Sequence, residues 1–280
     1  MIYQVEIPAS VLSQERPLRL VQCSDMHLFA DPTTKLLGLN TQHSFQNVVG
    51  LIQQQQPNID LLLTTGDIAQ QSAPETYQRF LATMQPLTTE PIRAPHFCIP
   101  GNHDLDEAYH SGLRINQLPC EVIIGNWCCI LLDSTVDHEI AGSFSNSTLE
   151  YLQQALERQR NRHVLIALHH NPIAVGCEWL DQHMLKTSQT FFKILQPFNN
   201  VKLVLHGHVH QIFEQVHEQV NYLSCPSTSL QFKPKSAKFT LDTANPGYRW
   251  LDLYANGYFE TDVCRLKEFN FYIDYQSDGY

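Results

Sequence analysis

The chain alternates short apolar runs with amphipathic stretches. Leu18-Arg19-Leu20-Val21-Gln22-Cys23, Ile59 to Leu63, Phe97-Cys98-Ile99, Cys128 to Leu132, Val164 to Leu168 and Val201 to Leu205 are brief runs bounded by turn residues. Such runs predict strands buried on both faces. Between them, apolar residues recur at helical spacing: Phe45, Val48, Val49 and Ile52 before Pro57; Tyr77, Phe80, Leu81 and Met84 after Pro74; Leu149, Leu152 and Leu156; and Phe191, Phe192 and Leu195. These predict helices with one buried stripe, and Pro74 suits a first helical turn. Ser147-Thr148-Leu149-Glu150 reads as a capping box for the third helix. A further strand is expected near Val5. The tail alternates strands with turns, over Gln219–Leu223, Tyr248–Tyr254 and Tyr258–Leu266. Strands alternating with helices indicate an α/β fold with layered sheets. No linker or internal repeat divides the chain. The expectation is a single domain over residues 1–280, with about 221–280 adding strands and loops near the site.

Composition narrows the function. With 280 residues and 43% hydrophobic content, the chain can bury a sizeable core. A formal net charge of −10 argues against a nucleic-acid or anionic-membrane surface. A small anionic substrate stays compatible if a local metal centre offsets its charge. No apolar stretch is long enough to span a bilayer, and the start, Met1-Ile2-Tyr3-Gln4-Val5-Glu6, lacks a secretory pattern. The eight cysteines are scattered with no Cys-x-x-Cys. They read as reduced core residues of a cytoplasmic protein. Cys128 and Cys129 are expected to face opposite sides of one strand.

Candidate chemistry sits where the strands end. Asp25 and His27 follow the first long strand, and Gly66-Asp67 the second. Gly101-Asn102-His103-Asp104 follows the third, His169-His170 a later one, and His206-Gly207-His208-Val209-His210 the last. In open α/β sheets the active crevice lies outside the carboxyl ends of the strands. Side chains two apart on an extended segment face the same way, so Asp25-x-His27 and His208-x-His210 are each expected to grip one ion. Asp67 could offer both carboxylate oxygens, Asn102 an amide oxygen, and Gly101 a sharp turn. Taken singly, each piece is an ordinary loop or turn. Their joint occurrence in order, each after an apolar strand, points to a metal site. Imidazole mixed with carboxylate suits manganese, iron or zinc better than calcium.

The motifs Asp25-x-His27, Gly66-Asp67, Gly101-Asn102-His103-Asp104, His169 and Gly207-His208-x-His210 resemble those of the calcineurin-like metallophosphoesterases. The resemblance implies a four-layer αββα sandwich of two mixed sheets flanked by helices, and a two-metal centre. Asp25, His27 and His210 would hold one ion, and Asn102, His169 and His208 the other, with Asp67 between them. His103 would be catalytic rather than a ligand. His27, Asp67, Asn102, His103 and His210 would contact substrate. Asp104 would support the turn, and His170 and His206 would be structural. The remaining histidines carry no motif.

Asp25-Met26-His27-Leu28-Phe29-Ala30, Gly66-Asp67-Ile68-Ala69-Gln70, Gly176-Cys177-Glu178-Trp179-Leu180-Asp181 and the tail segments Pro226-Ser227-Thr228, Gln231-Phe232-Lys233-Pro234 and Phe239-Thr240-Leu241-Asp242-Thr243 are similar to the bacterial class III 3′,5′-cyclic-AMP phosphodiesterases. That likeness implies hydrolysis of 3′,5′-cyclic AMP to 5′-AMP by two iron or manganese ions, with zinc as a further option. The expected partner is a small cyclic nucleotide, with neither nucleic acid nor membrane. The alternatives are a phosphodiesterase of different specificity, such as one for 2′,3′-cyclic nucleotides, or a non-catalytic scaffold of the same fold. Ile68-Ala69-Gln70 and Asp104 depart from the protein serine/threonine phosphatases. Phe29, Trp179, Phe232 and Arg114 are candidates to meet an adenine.

Overall fold

A computed structural model describes residues 1–4, 16–104, 106–113, 116–268 and 270–279. Two sheets carry the fold. The five-stranded sheet runs β14 (Phe259–Arg265), β13 (Gly247–Leu253), β2 (Leu18–Cys23), β5 (Leu61–Thr65), β6 (His96–Ile99). The seven-stranded sheet runs β1 (Ile2–Gln4), β7 (Cys120–Ile124), β8 (Trp127–Leu131), β9 (His163–Ala167), β10 (Val201–His206), β12 (Val220–Ser224), β11 (Glu214–His217). A two-stranded ribbon, β3 (Lys35–Leu36) with β4 (Leu39–Asn40), stands apart. Both large sheets are mixed. Strands β2, β5 and β6 are parallel neighbours, as are β8, β9 and β10, while β13 joins β2 antiparallel.

Alternation along each strand builds three cores. Leu20, Leu61 and Leu63 meet Cys129, Leu131 and Leu165 between the sheets. Val21, Cys23 and Leu62 point the other way, against helices α1 (Thr41–Gln55) and α2 (Pro74–Thr88) through Phe45, Val48, Phe80 and Met84. Cys128, Ile130, Val164 and Ile166 meet Leu152, Leu156 and Phe191 of α4 (Asn146–Arg158) and α6 (Ser188–Leu195). The order of layers is therefore helix, sheet, sheet, helix, as the resemblance implies. Each buried leucine contributes roughly 1.5–3 kcal/mol relative to an exposed one, which favours continuous apolar strands in the two middle layers. Cys128 and Cys129 face different cores as expected, and all eight cysteines are free thiols. Among the described residues no helix is long and apolar enough to cross a membrane.

Several expectations shift. The strand expected at Ile59 to Leu63 lies at Leu61–Thr65. The Asp60 carboxylate is taken by the Arg16 guanidinium and the Arg19 backbone amide, which holds that residue at the strand's edge. Val5 lies outside the described residues, and β1 ends at Gln4. Helices α3 (Asp106–Leu113) and α5 (Glu178–Asp181), strands β7 and β11, and the ribbon were not read from the sequence. The tail strands fall close to where the pattern puts them. Buried Arg249 of β13 spans the two sheets, donating to the Ser224 carbonyl at 2.8 Å and pairing with Glu214 at 2.9 Å. It ties the C-terminal strands to the far edge of the seven-stranded sheet.

The capping box also moves. Ser145 caps α4, its hydroxyl accepting from the Thr148 amide at 3.1 Å, and Ser147 lies inside the first turn. Loss of such a cap costs about 1 kcal/mol. Ser145→Ala is expected to lower stability by about that much in urea unfolding, and Ser147→Ala by less than about half of it. A larger loss for Ser147→Ala would place the cap at Ser147 after all.

Candidate metal centre

Five of the candidate ligands sit in left-handed backbone. Asp25 has φ 57°, His27 50°, Asp67 50°, His208 68° and His210 45°. The extended geometry expected for Asp25-x-His27 and His208-x-His210 is therefore wrong. Each pair is presented by a tight turn: Asp25 and His27 come together in one group with His210, whereas His208 turns to His169, so His208-x-His210 does not grip a single ion as expected. Non-glycine residues in this region cost on the order of 1 kcal/mol or more. Neighbouring backbone holds them there. The Asp25 amide donates to the Gly66 carbonyl and the His27 amide to the Asp67 carbonyl, both at 3.0 Å. Gly101 serves a different purpose from the one expected. Its φ is not positive, but a Cβ there would stand 2.2 Å from Asp67 Oδ1. It gives room for the carboxylate.

The ligand atoms of Asp25, His27 and His210 gather first. His27 Nε2 lies 3.0 Å from His210 Nε2, and His210 Nε2 lies 3.4 Å from Asp25 Oδ1. Bonds of about 2.0–2.2 Å to one ion place adjacent ligand atoms at about these spacings. Asp67 Oδ2 stands between the groups, 3.7 Å from His27 Nε2 and 3.3 Å from His169 Nε2. Its Oδ1 instead accepts the His103 amide at 2.9 Å, so one oxygen rather than two is open toward the centre. Asn102 Oδ1, His169 Nε2 and His208 Nε2 are buried without a hydrogen-bond partner. Unpaired buried polar atoms are costly, and these three belong to the set implied for the second ion. The donor chemistry fits two divalent transition-metal ions.

Outer contacts aim the rings. His27 Nδ1 meets Gln70 Oε1 at 2.7 Å, His169 Nδ1 the Thr65 carbonyl at 2.7 Å, and His210 Nδ1 the Leu230 carbonyl at 2.9 Å. Each acceptor oxygen holds Nδ1 and turns Nε2 inward. Of these partners only Gln70 lay in a quoted motif. The two backbone carbonyls leave no trace in residue type.

Electrostatics follow from burial and the two carboxylates. Burial pushes the His27 imidazole down to about 3 and the His208 imidazole well below its ordinary value. Neutral imidazole is the form that ligates metal. Burial also opposes charge on His169, but Asp67 beside it wins and raises it to about 9. Burial pushes the Asp25 and Asp67 carboxyls up. His210 beside Asp25 and His169 beside Asp67 more than offset this, so both stay below the usual carboxylate range.

The other motif residues separate by their contacts. His103 is only partly buried and packs edge-on to His27, centroids 5.0 Å apart, at a cavity of about 250 Å³. One of its ring nitrogens comes within ligand range of His27 and Asp67, so distance alone does not separate it from them. His170 uses both ring nitrogens, on Ser134 Oγ at 2.8 Å and the Ile140 carbonyl at 3.0 Å. His206 holds the Gly207 carbonyl at 3.0 Å. The Asp104 carboxylate accepts from the amides of Ile68, Ala69 and Gly101 and from the Tyr77 hydroxyl, all within 3.1 Å. It braces the turns after β5 and β6. Trp179 and Phe232 line the cavity, with Phe232 stacked on His210 at 4.1 Å, whereas Phe29 does not line it and Arg114 lies outside the described residues. Phe239, His183, Asp278 and Gly279 also line it and had not been singled out as substrate contacts. They come from loops whose sequence carries no periodic signal.

Residues 18–212 match the calcineurin-like phosphoesterase family. A 3′,5′-cyclic adenosine monophosphate phosphodiesterase of Escherichia coli K12 is 40% identical over 272 residues, covering 96% of this chain and 97% of that protein. Its counterpart in Pseudomonas aeruginosa is 37% identical over 93% of this chain and 94% of its own. A 3′,5′-cyclic-nucleotide phosphodiesterase of Nostoc is 36% identical over 91% of this chain and 95% of its own. The fold is also that of a dimetal phosphatase from Danio rerio, with a TM-score of 0.61 at 13% identity over 84% of this chain and 95% of that one. With the layered sheets, the converging strand ends and the length of these matches in agreement, this chain belongs to the calcineurin-like phosphoesterases.

Proposed function

We propose that this chain hydrolyses 3′,5′-cyclic AMP to 5′-AMP and so lowers an intracellular second messenger. Phosphoester chemistry rests on one observation: Asn102 Oδ1 and His208 Nε2 are buried without a hydrogen-bond partner, at a site where Asp67 Oδ2 pairs with His169 Nε2. A bound cation would satisfy these atoms together. The choice of cyclic AMP rests on relatives of that printed activity spanning more than nine-tenths of the chain. Residues 1–280 act as one unit, because β13 pairs directly with β2, the strand that leads to Asp25.

Asp25, His27 and His210 would hold one ion and Asn102, His169 and His208 the other, with Asp67 available to both. Iron and manganese suit the donors, as does zinc. Two such ions would offset the phosphate charge, orient its oxygens and lower the pKa of water at the site. The chain's own residues do the rest. His27, Asp67, Asn102, His103 and His210 surround the phosphate, and the aromatic wall of Trp179 and Phe232 excludes water from one side. His103 is carried by the turn whose amide binds Asp67 Oδ1. As a water oxygen bonds to phosphorus and the bond to the ribose 3′-oxygen breaks, a ring N–H of His103 gives its proton to that leaving oxygen.

Rates on 3′,5′-cyclic AMP, 3′,5′-cyclic GMP, 2′,3′-cyclic AMP and an aryl phosphodiester, at defined manganese or iron, test the assignment. Cyclic AMP is expected to lead, and a large preference for the aryl or 2′,3′-cyclic compound would end the substrate reading while leaving the metal site intact. His103→Ala is expected to keep its metal content and lose about 10²–10⁴-fold in kcat; undiminished turnover with bound metal would remove it from catalysis. His208→Ala is expected to lose one of two ions by elemental analysis and to melt at lower temperature, because a ligand that binds only the folded chain stabilises it. Full occupancy in that variant would contradict its place as a ligand.

A further inference from the structure

The elements that carry the ligands do not by themselves enclose the cavity. Asp278 and Gly279 also line it, beside Asp67, Asn102 and His103. They belong to the chain beyond β14, which has no regular secondary structure among the described residues yet is fixed at three points. Phe271 meets the His43 ring edge-on, centroids 4.8 Å apart. Tyr272 lies so close over Gly38 that a Cβ at that glycine would stand 2.6 Å from its ring. The Asp274 amide donates to the Leu37 carbonyl at 2.8 Å. Phe271 and Ile273 also pack into the apolar cluster that holds Phe232, Trp179 and Phe239. The segment is thus latched to the ribbon and to the aromatic wall, and it brings the exposed residue Asp278 to the edge of the cavity.

We infer that residues 271–279 form a wall of the substrate cavity, and that Asp278 on this wall discriminates against doubly charged phosphate monoesters in favour of singly charged diesters. A diester carries one negative charge. A monoester carries between one and a half and two at neutral pH, since its second proton leaves near pH 6. A fixed carboxylate at the rim repels both, the monoester about twice as strongly. The product of diester hydrolysis is a monoester, so the same charge speeds its departure. One extra unit of charge felt across about 8–10 Å of partly wet space changes binding by roughly 2- to 10-fold. Added salt weakens the effect, because the Debye length shortens to about this distance near 0.1 M.

This inference rests on the phosphodiesterase reading of the site and not on cyclic AMP. The test uses the full-length, metal-loaded chain, with bis(p-nitrophenyl) phosphate as diester and phenyl phosphate as monoester. The quantity read is the calorimetric Kd of phenyl phosphate divided by the KM of the diester. Asp278→Asn is expected to lower this ratio roughly 2- to 10-fold at about 0.05 M salt, with the change fading by about 0.5 M. Asp278→Lys lowers it further. The double variant F271A/Y272A unlatches the wall and shifts the ratio in the same direction. An unchanged ratio in both Asp278 variants overturns the inference, whether or not the double variant folds. Failure of cyclic AMP as a substrate would leave these outcomes readable, whereas absence of diester turnover in the unaltered chain would sink the phosphodiesterase reading itself.

Discussion

The Thr65 carbonyl, at the end of β5, accepts from His169 Nδ1 at 2.7 Å and from the Ser24 hydroxyl at 3.1 Å. His169 belongs to the other sheet. A single backbone oxygen therefore joins the two sheets where their ligands meet and sets which nitrogen of His169 looks inward. The Asp25 carboxylate repeats the arrangement, accepting the His208 amide at 3.0 Å across the same seam. Within each sheet the register of parallel strands brings the ends level. A slip of one residue in a strand would turn its buried side chains to the opposite face and displace the turn it carries. The candidate centre thus depends on buried polar bonds between sheets as much as on its own side chains.

That arrangement is expensive for the fold. Left-handed backbone at Asp25, His27, Asp67, His208 and His210, together with buried carboxylates and unpaired imidazole nitrogens, concentrates unfavourable terms in one place. Departures from local consistency of this kind are expected at functional sites, offset elsewhere. The offset here is the packed middle of the molecule, where strands such as Leu61–Thr65 and Trp127–Leu131 are buried over their full length. Asp104 shows the transition between the two regimes. Burial and nearby Asp67 raise its carboxyl to about 6, against three backbone amides that favour its charge. Its contacts hold turns, not ligands.

The layers and the gathering of the candidate residues at strand ends were legible because both rest on strong, local signals: apolar runs, helical spacing, and Asp or His immediately after a strand. What the sequence hid has physical reasons. Strand β7 contains Glu121, a charge that breaks the apolar run, yet Glu121 is fully buried because Arg158 and Gln159 reach its carboxylate. Strand β11 is an exposed edge with no alternation to read. The cap of α4 moved two residues because Ser145 and Ser147 are equally good by type, and only the backbone decides between them. Left-handed turns at Asp and His look like extended chain until the neighbouring amides are known. The cavity wall was the least legible part, since Phe239 and Asp278 owe their places to contacts far away in sequence.

The seam between Asp25 and His208 joins residues 183 positions apart. At about 5–20 residues per second, a ribosome takes roughly 10–40 s to travel that span. During that interval the first ligands are already made, but half of their surroundings do not yet exist. A nascent chain therefore offers an ion only isolated carboxylates and imidazoles on one unfinished sheet. The full set of donors comes into being late, when β10 docks beside β9. The candidate donors therefore exist together only after the chain has been made past His210.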